Sequence, residues 1–103
     1  MKIAIASTDK TEATKVSKMA GRARYILFFE NNKLVKTLKN PFAAGGGGAG
    51  FAAAKIIADE KAEIFIAGQL GQNMKDTLDK KNIRYLELPD ISIKEALEKA
   101  KNA

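Results

Sequence analysis

The sequence predicts an α/β domain: a three-layer α/β/α arrangement around a five-stranded mixed sheet ordered 3-2-1-4-5, with strand 2 antiparallel to the rest. Three observations lead there. Short apolar runs and helix-like stretches follow one another as β β β α β α β α. The runs at 3–6, 25–29 and 64–67 are apolar on both faces, as interior strands are, whereas "KLVKTLK" and "RYLEL" interleave charge, as edge strands do. The second and third runs meet at Asn31-Asn32, a pair that tolerates the positive φ of a tight hairpin turn. A right-handed helical crossover then joins the third strand to a parallel fourth, and the stated order keeps both charged strands outside.

The first strand covers residues 2–6 and ends in small hydroxylated residues, Ser7 and Thr8. Residues 7–24 show no sustained period and carry seven charged side chains from Asp9 to Arg24, so they form a long loop with one helical turn near Val16. "YILFFENNKLVKTLKN" supplies the hairpin, "GFAAAKIIADEK" a helix of about three turns, "EIFIAG" a strand, "QNMKDTLDKK" a helix and "IRYLEL" the last strand. Past Pro89, Ser92 and Glu95 have capping-box spacing: the serine accepts from a first-turn amide and the glutamate reaches back. The final helix therefore starts near Ile93.

At 103 residues the chain is one domain, 1–103, with 46% hydrophobic residues and a net charge of +6. It has no cysteine and no histidine, which removes disulfides, thiolate nucleophiles, serine–histidine triads and ordinary zinc sites. No apolar run approaches the roughly 20 residues of a membrane span, and "MKIAIAS" is too short for the apolar region of a signal peptide. The expectation is a soluble cytoplasmic protein with no membrane partner. The positive charge suits an anionic ligand. The basic residues scatter, however, without the interleaved aromatics that stack bases, so no specific nucleic-acid partner is expected.

"NPFAAGGGGAGFAAAKIIADEK" holds five of the eight glycines and runs directly into a helix. In open α/β sheets ligands sit beyond the carboxyl ends of the parallel strands, and strands 1, 3 and 4 point the same way. The 7–24 loop, the glycine stretch and "AGQLGQN" therefore gather at one end. A helix start there offers unpaired amides, and glycine admits close approach to the backbone. "GGGGAG" fits the glycine spacing of dinucleotide sites, but the next strand ends in Ala67-Gly68-Gln69, where a ribose-binding acid is needed, and no Gly-Lys-Ser/Thr closes a P-loop. Two readings stand: one wall of an anion or cofactor pocket, or a slack connection that starts a helix.

Gly21-Arg22-Ala23 before an aromatic strand, the Asn-Pro turn, Gly48-Ala49-Gly50 at a helix start and Gly68-Gln69-Leu70-Gly71-Gln72-Asn73 together resemble the dinitrogenase iron–molybdenum cofactor biosynthesis family over nearly the whole chain. The resemblance implies a ribonuclease H-like fold, the same arrangement reached above, and the binding or carriage of an anionic iron–molybdenum or iron–sulfur cofactor or its precursor. A cofactor-assembly protein is the implied partner. The alternative is a small ligand-binding or regulatory domain of this fold that has lost the metal site. Where the family often reads His-Phe-Gly-Arg the chain has Met19-Ala20-Gly21-Arg22, and near Gly47 it lacks a second frequent histidine. The resemblance thus carries over Arg22, the backbone of Gly21, Gly47, Gly48, Ala49 and Gly50, and the loop residues Gly68 and Gln69. Met19 is a candidate thioether donor or a packing residue. No acid lies on the first strand, where ribonuclease H-like nucleases place one for their metals, so a non-catalytic binding protein is expected.

Overall fold

Strand β1 (Lys2–Ser7) is the middle of the sheet in a computed structural model that describes residues 1–8, 16, 23–40, 49–88 and 91–102. It pairs antiparallel with β2 (Tyr25–Glu30), from Lys2 opposite Glu30 to Ser7 opposite Tyr25, and parallel with β4 (Ile64–Ala67), with Ile5 level with Ile66. Outside these lie β3 (Lys33–Lys39), antiparallel to β2, and β5 (Arg84–Glu87), parallel to β4. The order is β3-β2-β1-β4-β5. Edge polarity and the hairpin therefore sufficed to order the strands. The turn is made by Asn31 at φ 50° and Asn32 at φ 65°, the paired left-handed conformation of a two-residue hairpin. A register shift between Phe28 and Phe29 leaves Val35 as an extra residue on β3, 49% exposed on an edge otherwise studded with lysines.

The sheet has a core on each face, because successive side chains alternate. Ala4, Ala6, Ile26, Phe28, Phe65 and Ala67 face α1 (Ala49–Asp59) and α2 (Gln72–Lys80), which contribute Ala53, Ala54, Ile57, Met74 and Leu78. Ile3, Ile5, Leu27, Phe29, Ile64 and Ile66 face α3 (Ile93–Lys101) through Ile93, Ala96, Leu97 and Ala100. Small alanines on β1 and α1 share this core with the phenylalanines of β2 and β4, which fill most of its depth.

The helix ends explain how the chain turns back at the lower pole. After α1 the amide of Lys61 donates to Ala58 and that of Ala62 to Ile57. After α2 the amide of Asn82 donates to Asp79 and that of Ile83 to Leu78. Both are Schellman closures, with Lys61 at φ 60° and Asn82 at φ 59° in the position glycine usually takes. At α3 the Glu95 amide donates to Ser92 Oγ at 3.1 Å, the expected cap. Its carboxylate meets the cap through the Ser92 hydroxyl, which donates to Oε1 at 3.4 Å. One local expectation fails: Val16 is an isolated antiparallel bridge to Ser7, its amide donating to Ile91 O at 3.1 Å, where a helical turn was expected. A β-branched residue beside a strand end finds a backbone partner in extended form more readily than in one unsupported turn.

Candidate functional site

The carboxyl ends of the parallel strands and the start of β2 form one rim. Ser7 is opposite Tyr25, Tyr25 is opposite Lys39, and the pairing of Ile5 with Ile66 brings the residues after Ala67 level with the end of β1. Helix α1 starts at this rim and runs away from it. Of the residues singled out from the sequence, Gly68 and Gln69 lie on this rim at the exit of β4, Gly68 buried and Gln69 exposed. Ala49 and Gly50 are the first two residues of α1, with no acidic residue in the helix's first turn. Met19, Gly21, Arg22, Gly47 and Gly48 lie outside the described residues.

Two fastenings hold the rim, and neither was read from the sequence. The first is Asn40, 2% exposed at the exit of β3. Its backbone amide donates to Arg24 O at 2.8 Å and its side-chain Nδ2 to Ala23 O at 3.0 Å. The buried amide thereby ties the segment that follows Gly21-Arg22 to the segment that leads into the glycine run. The Asn-Pro pair marked a turn here. The donation to Ala23, however, left no mark in the sequence.

The second fastening is Glu87, the last residue of β5. Its Oε2 accepts the Leu70 amide at 3.0 Å and its Oε1 accepts Lys75 Nζ at 3.1 Å. Ahead of them Leu88 N donates to Ala67 O at 2.8 Å, which continues the β4–β5 pairing into the loop. The Leu70 amide and the Lys75 ammonium hold the Glu87 carboxyl below the ordinary glutamate value of 4.5, against a smaller opposing effect of burial. Helix α2 itself has Gly71 at its N-cap with no side-chain cap bond and no acid in its first turn. A β-carbon on Gly71 would meet nothing within 4 Å, so this glycine is not required by crowding. Gln72 turns its amide to Asp76 at 2.9 Å, along the helix surface.

Arg24 and Lys39 are exposed on the rim beside the loop ends. Among the described residues no three acidic side chains gather in a way that would hold a metal ion, and no helix is long and apolar enough to cross a membrane.

Several solved structures are similar in fold, three of them as follows. The apo form of the orange protein from Desulfovibrio gigas matches with a TM-score of 0.90 at 19% identity, covering 98% of this chain and 87% of that one. A Thermotoga protein described as a candidate NifB protein of the DUF35 family matches at 0.81 and 20% identity, covering 99% and 88%. A Methanocaldococcus jannaschii protein described as a candidate dinitrogenase matches at 0.54 and 22%, covering 87% and 79%. No curated relative matches by sequence. A family model does match, under the description "Dinitrogenase iron-molybdenum cofactor", across residues 1–103. With the whole length matched and the strand order, hairpin and rim in place, the chain belongs to the dinitrogenase iron–molybdenum cofactor family.

Proposed function

We propose that this protein binds and carries an anionic metal–sulfur cofactor of the iron–molybdenum or iron–sulfur type, or its precursor, without catalysing a reaction, and delivers it to a cofactor-assembly protein in the cytoplasm. The observation that supports this most directly is a family match spanning residues 1–103 on a fold whose loop ends gather on one cationic rim. The description of the Desulfovibrio neighbour as an apo form, a term for a protein without its bound group, points the same way.

The donor chemistry defines how such a cargo would be held. The chain has no histidine or cysteine, so it lacks the usual direct ligands of iron–sulfur clusters. The hold is therefore ionic and through the backbone. Arg22 supplies charge-assisted hydrogen bonds to a sulfide or carboxylate. The backbone amides of Ala49 and Gly50 offer donors at the positive end of α1, and those of Gly21, Gly47 and Gly48 are further candidates. Gly68 and Gln69 form the facing wall, and Met19 is the one thioether candidate.

The test is anaerobic mixing with isolated iron–molybdenum cofactor and, separately, a synthetic four-iron, four-sulfur thiolate cluster, followed by gel filtration and analysis of metal and sulfide. Co-elution that weakens between low and moderate salt is expected, because an exposed ion pair is screened over about 10 Å at 0.1 M. Arg22→Ala should weaken binding by about 1.5–3 kcal/mol, and Met19→Leu should leave it intact. If Met19→Leu abolishes binding and Arg22→Ala spares it, a thioether bond carries the cargo and the ionic account is wrong. If neither cluster is taken up, carriage gives way to the metal-free reading, a ligand-binding or regulatory domain of the same fold.

A further inference from the structure

We propose that Glu87 is the positioning residue of the candidate site, the side chain that sets the geometry of the 68–71 loop from the neighbouring edge strand. The proposal rests on the carriage reading for what the loop receives, but the latch itself stands on contacts within the chain.

The loop has a bridge at Gln69 and the buried side chain of Leu70, but no cap of its own where it enters the next helix. It joins β4 to a helix whose N-cap is a glycine without a side-chain cap bond, and whose first turn contains a lysine and no acid. A cation at that end of a helix opposes the positive pole of the peptide dipoles. Glu87 answers the second and braces the loop just ahead of the first. It lies opposite Ala67 in the β4–β5 register, so its side chain is level with the residues that follow Ala67. One carboxylate oxygen takes the amide of Leu70, the residue just before the N-cap, and the other takes the Lys75 ammonium. The carboxylate thus braces the loop one residue ahead of the N-cap and supplies, from another element, the negative charge that a first-turn acid would bring.

The latch also has an inner half. Leu70 is 4% exposed, its side chain sunk in the core between the sheet and the α1–α2 layer. Held by its side chain below and its amide above, Leu70 is fixed, and the loop residues Gly68 and Gln69 on one side and Gly71 on the other inherit that position. The charged group facing Glu87 from α2 is Lys75, while Asp76 is bonded to Gln72. The lowered titration of Glu87 agrees with a carboxylate that works ionised.

The experiment uses the full chain, labelled with nitrogen-15, as wild type, Glu87→Gln and Glu87→Ala. It reads three things: exchange of the Leu70 amide, thermal unfolding, and anaerobic affinity for the synthetic four-iron, four-sulfur thiolate cluster. In Glu87→Ala the Leu70 amide should exchange about tenfold faster or more and cluster affinity should fall about tenfold, with a cooperative unfolding transition retained. Glu87→Gln keeps an oxygen for the amide and should restore most of the Leu70 protection and of the affinity. Unchanged Leu70 exchange in Glu87→Ala overturns the latch. Faster exchange with unchanged cluster affinity overturns the positioning role and leaves a structural one. A wild type that takes up no cluster while Leu70 still answers to Glu87 refutes the carriage reading and leaves the setting of the loop established.

Discussion

Replacing Asn40 by alanine should unsettle the rim more than any exposed change near it. The side chain is 2% exposed and donates to the carbonyl of Ala23, itself in a residue 1% exposed, at 3.0 Å. Truncation leaves that buried carbonyl without this donor, at a cost of about 1–3 kcal/mol. The backbone bond from Asn40 to Arg24 survives, so the two strands stay paired and the loss is local. A destabilisation of about 1–3 kcal/mol follows, which for a chain of this size lowers the midpoint of thermal unfolding by about 5–15 °C. Calorimetry and urea unfolding would measure it, with the urea m-value unchanged if the denatured state is unaffected. Asn40→Asp separates donation from volume: a carboxylate of the same shape presents two acceptors to a carbonyl and should be at least as harmful as alanine. A loss below about 0.5 kcal/mol in both variants, the range of ordinary surface changes, would refute the assignment of Asn40 as the tie between the two loops.

Other expected outcomes concern the helix ends and the acid range. Lys61→Gly should stabilise the protein by about 0.5–1 kcal/mol in chemical denaturation, because the left-handed φ of 60° costs a side-chain-bearing residue about 1–2 kcal/mol, partly offset by glycine's greater freedom when unfolded. Ser92→Ala should cost about 1 kcal/mol by removing the acceptor of the Glu95 amide, and Ser92→Asp should recover most of it. Glu87 has a lowered pKa in the fold, so its contribution is complete above the ordinary value of 4.5 and is lost as pH falls through the lower folded value. Urea stability measured from pH 6 down to about pH 3 should therefore decline, and part of that decline should vanish in Glu87→Gln.

The architecture was legible because it depends on which strands can face water. The charges of "KLVKTLK" and "RYLEL" have nowhere to go inside a sheet, and the apolar pairs of 3–6, 25–29 and 64–67 have nowhere to go outside one. What stayed hidden involves the backbone as partner. Glu87 reads as one more edge charge like Arg84, because its targets are an amide and an ammonium in residues 17 and 12 positions earlier. Asn40 hides likewise, since the carbonyl it serves has no letter. Lys61 occupies a left-handed position that glycine normally announces, so the end of α1 could be placed but not its closure. Of the candidate site, the sequence located Gly68, Gln69, Ala49 and Gly50 at one end of the sheet; it could not show what braces them.

The two helix starts on the rim differ in their electrostatics, and the difference bears on where an anion would sit. At α2 the positive end of the helix meets a carboxylate supplied by the chain: Glu87 takes the Leu70 amide and neutralises Lys75. An external anion arriving there would have to displace Glu87 or tolerate it, and like charges a few ångströms apart repel even through water. At α1 the first turn brings no acid of its own, and the exposed cations Arg24 and Lys39 stand on the same side of the sheet's middle. On the carriage reading, attraction therefore belongs to the α1 side, with Arg22 and the glycine amides. The 68–71 loop contributes shape and neutral donors, held firm by a carboxylate whose own charge is already matched.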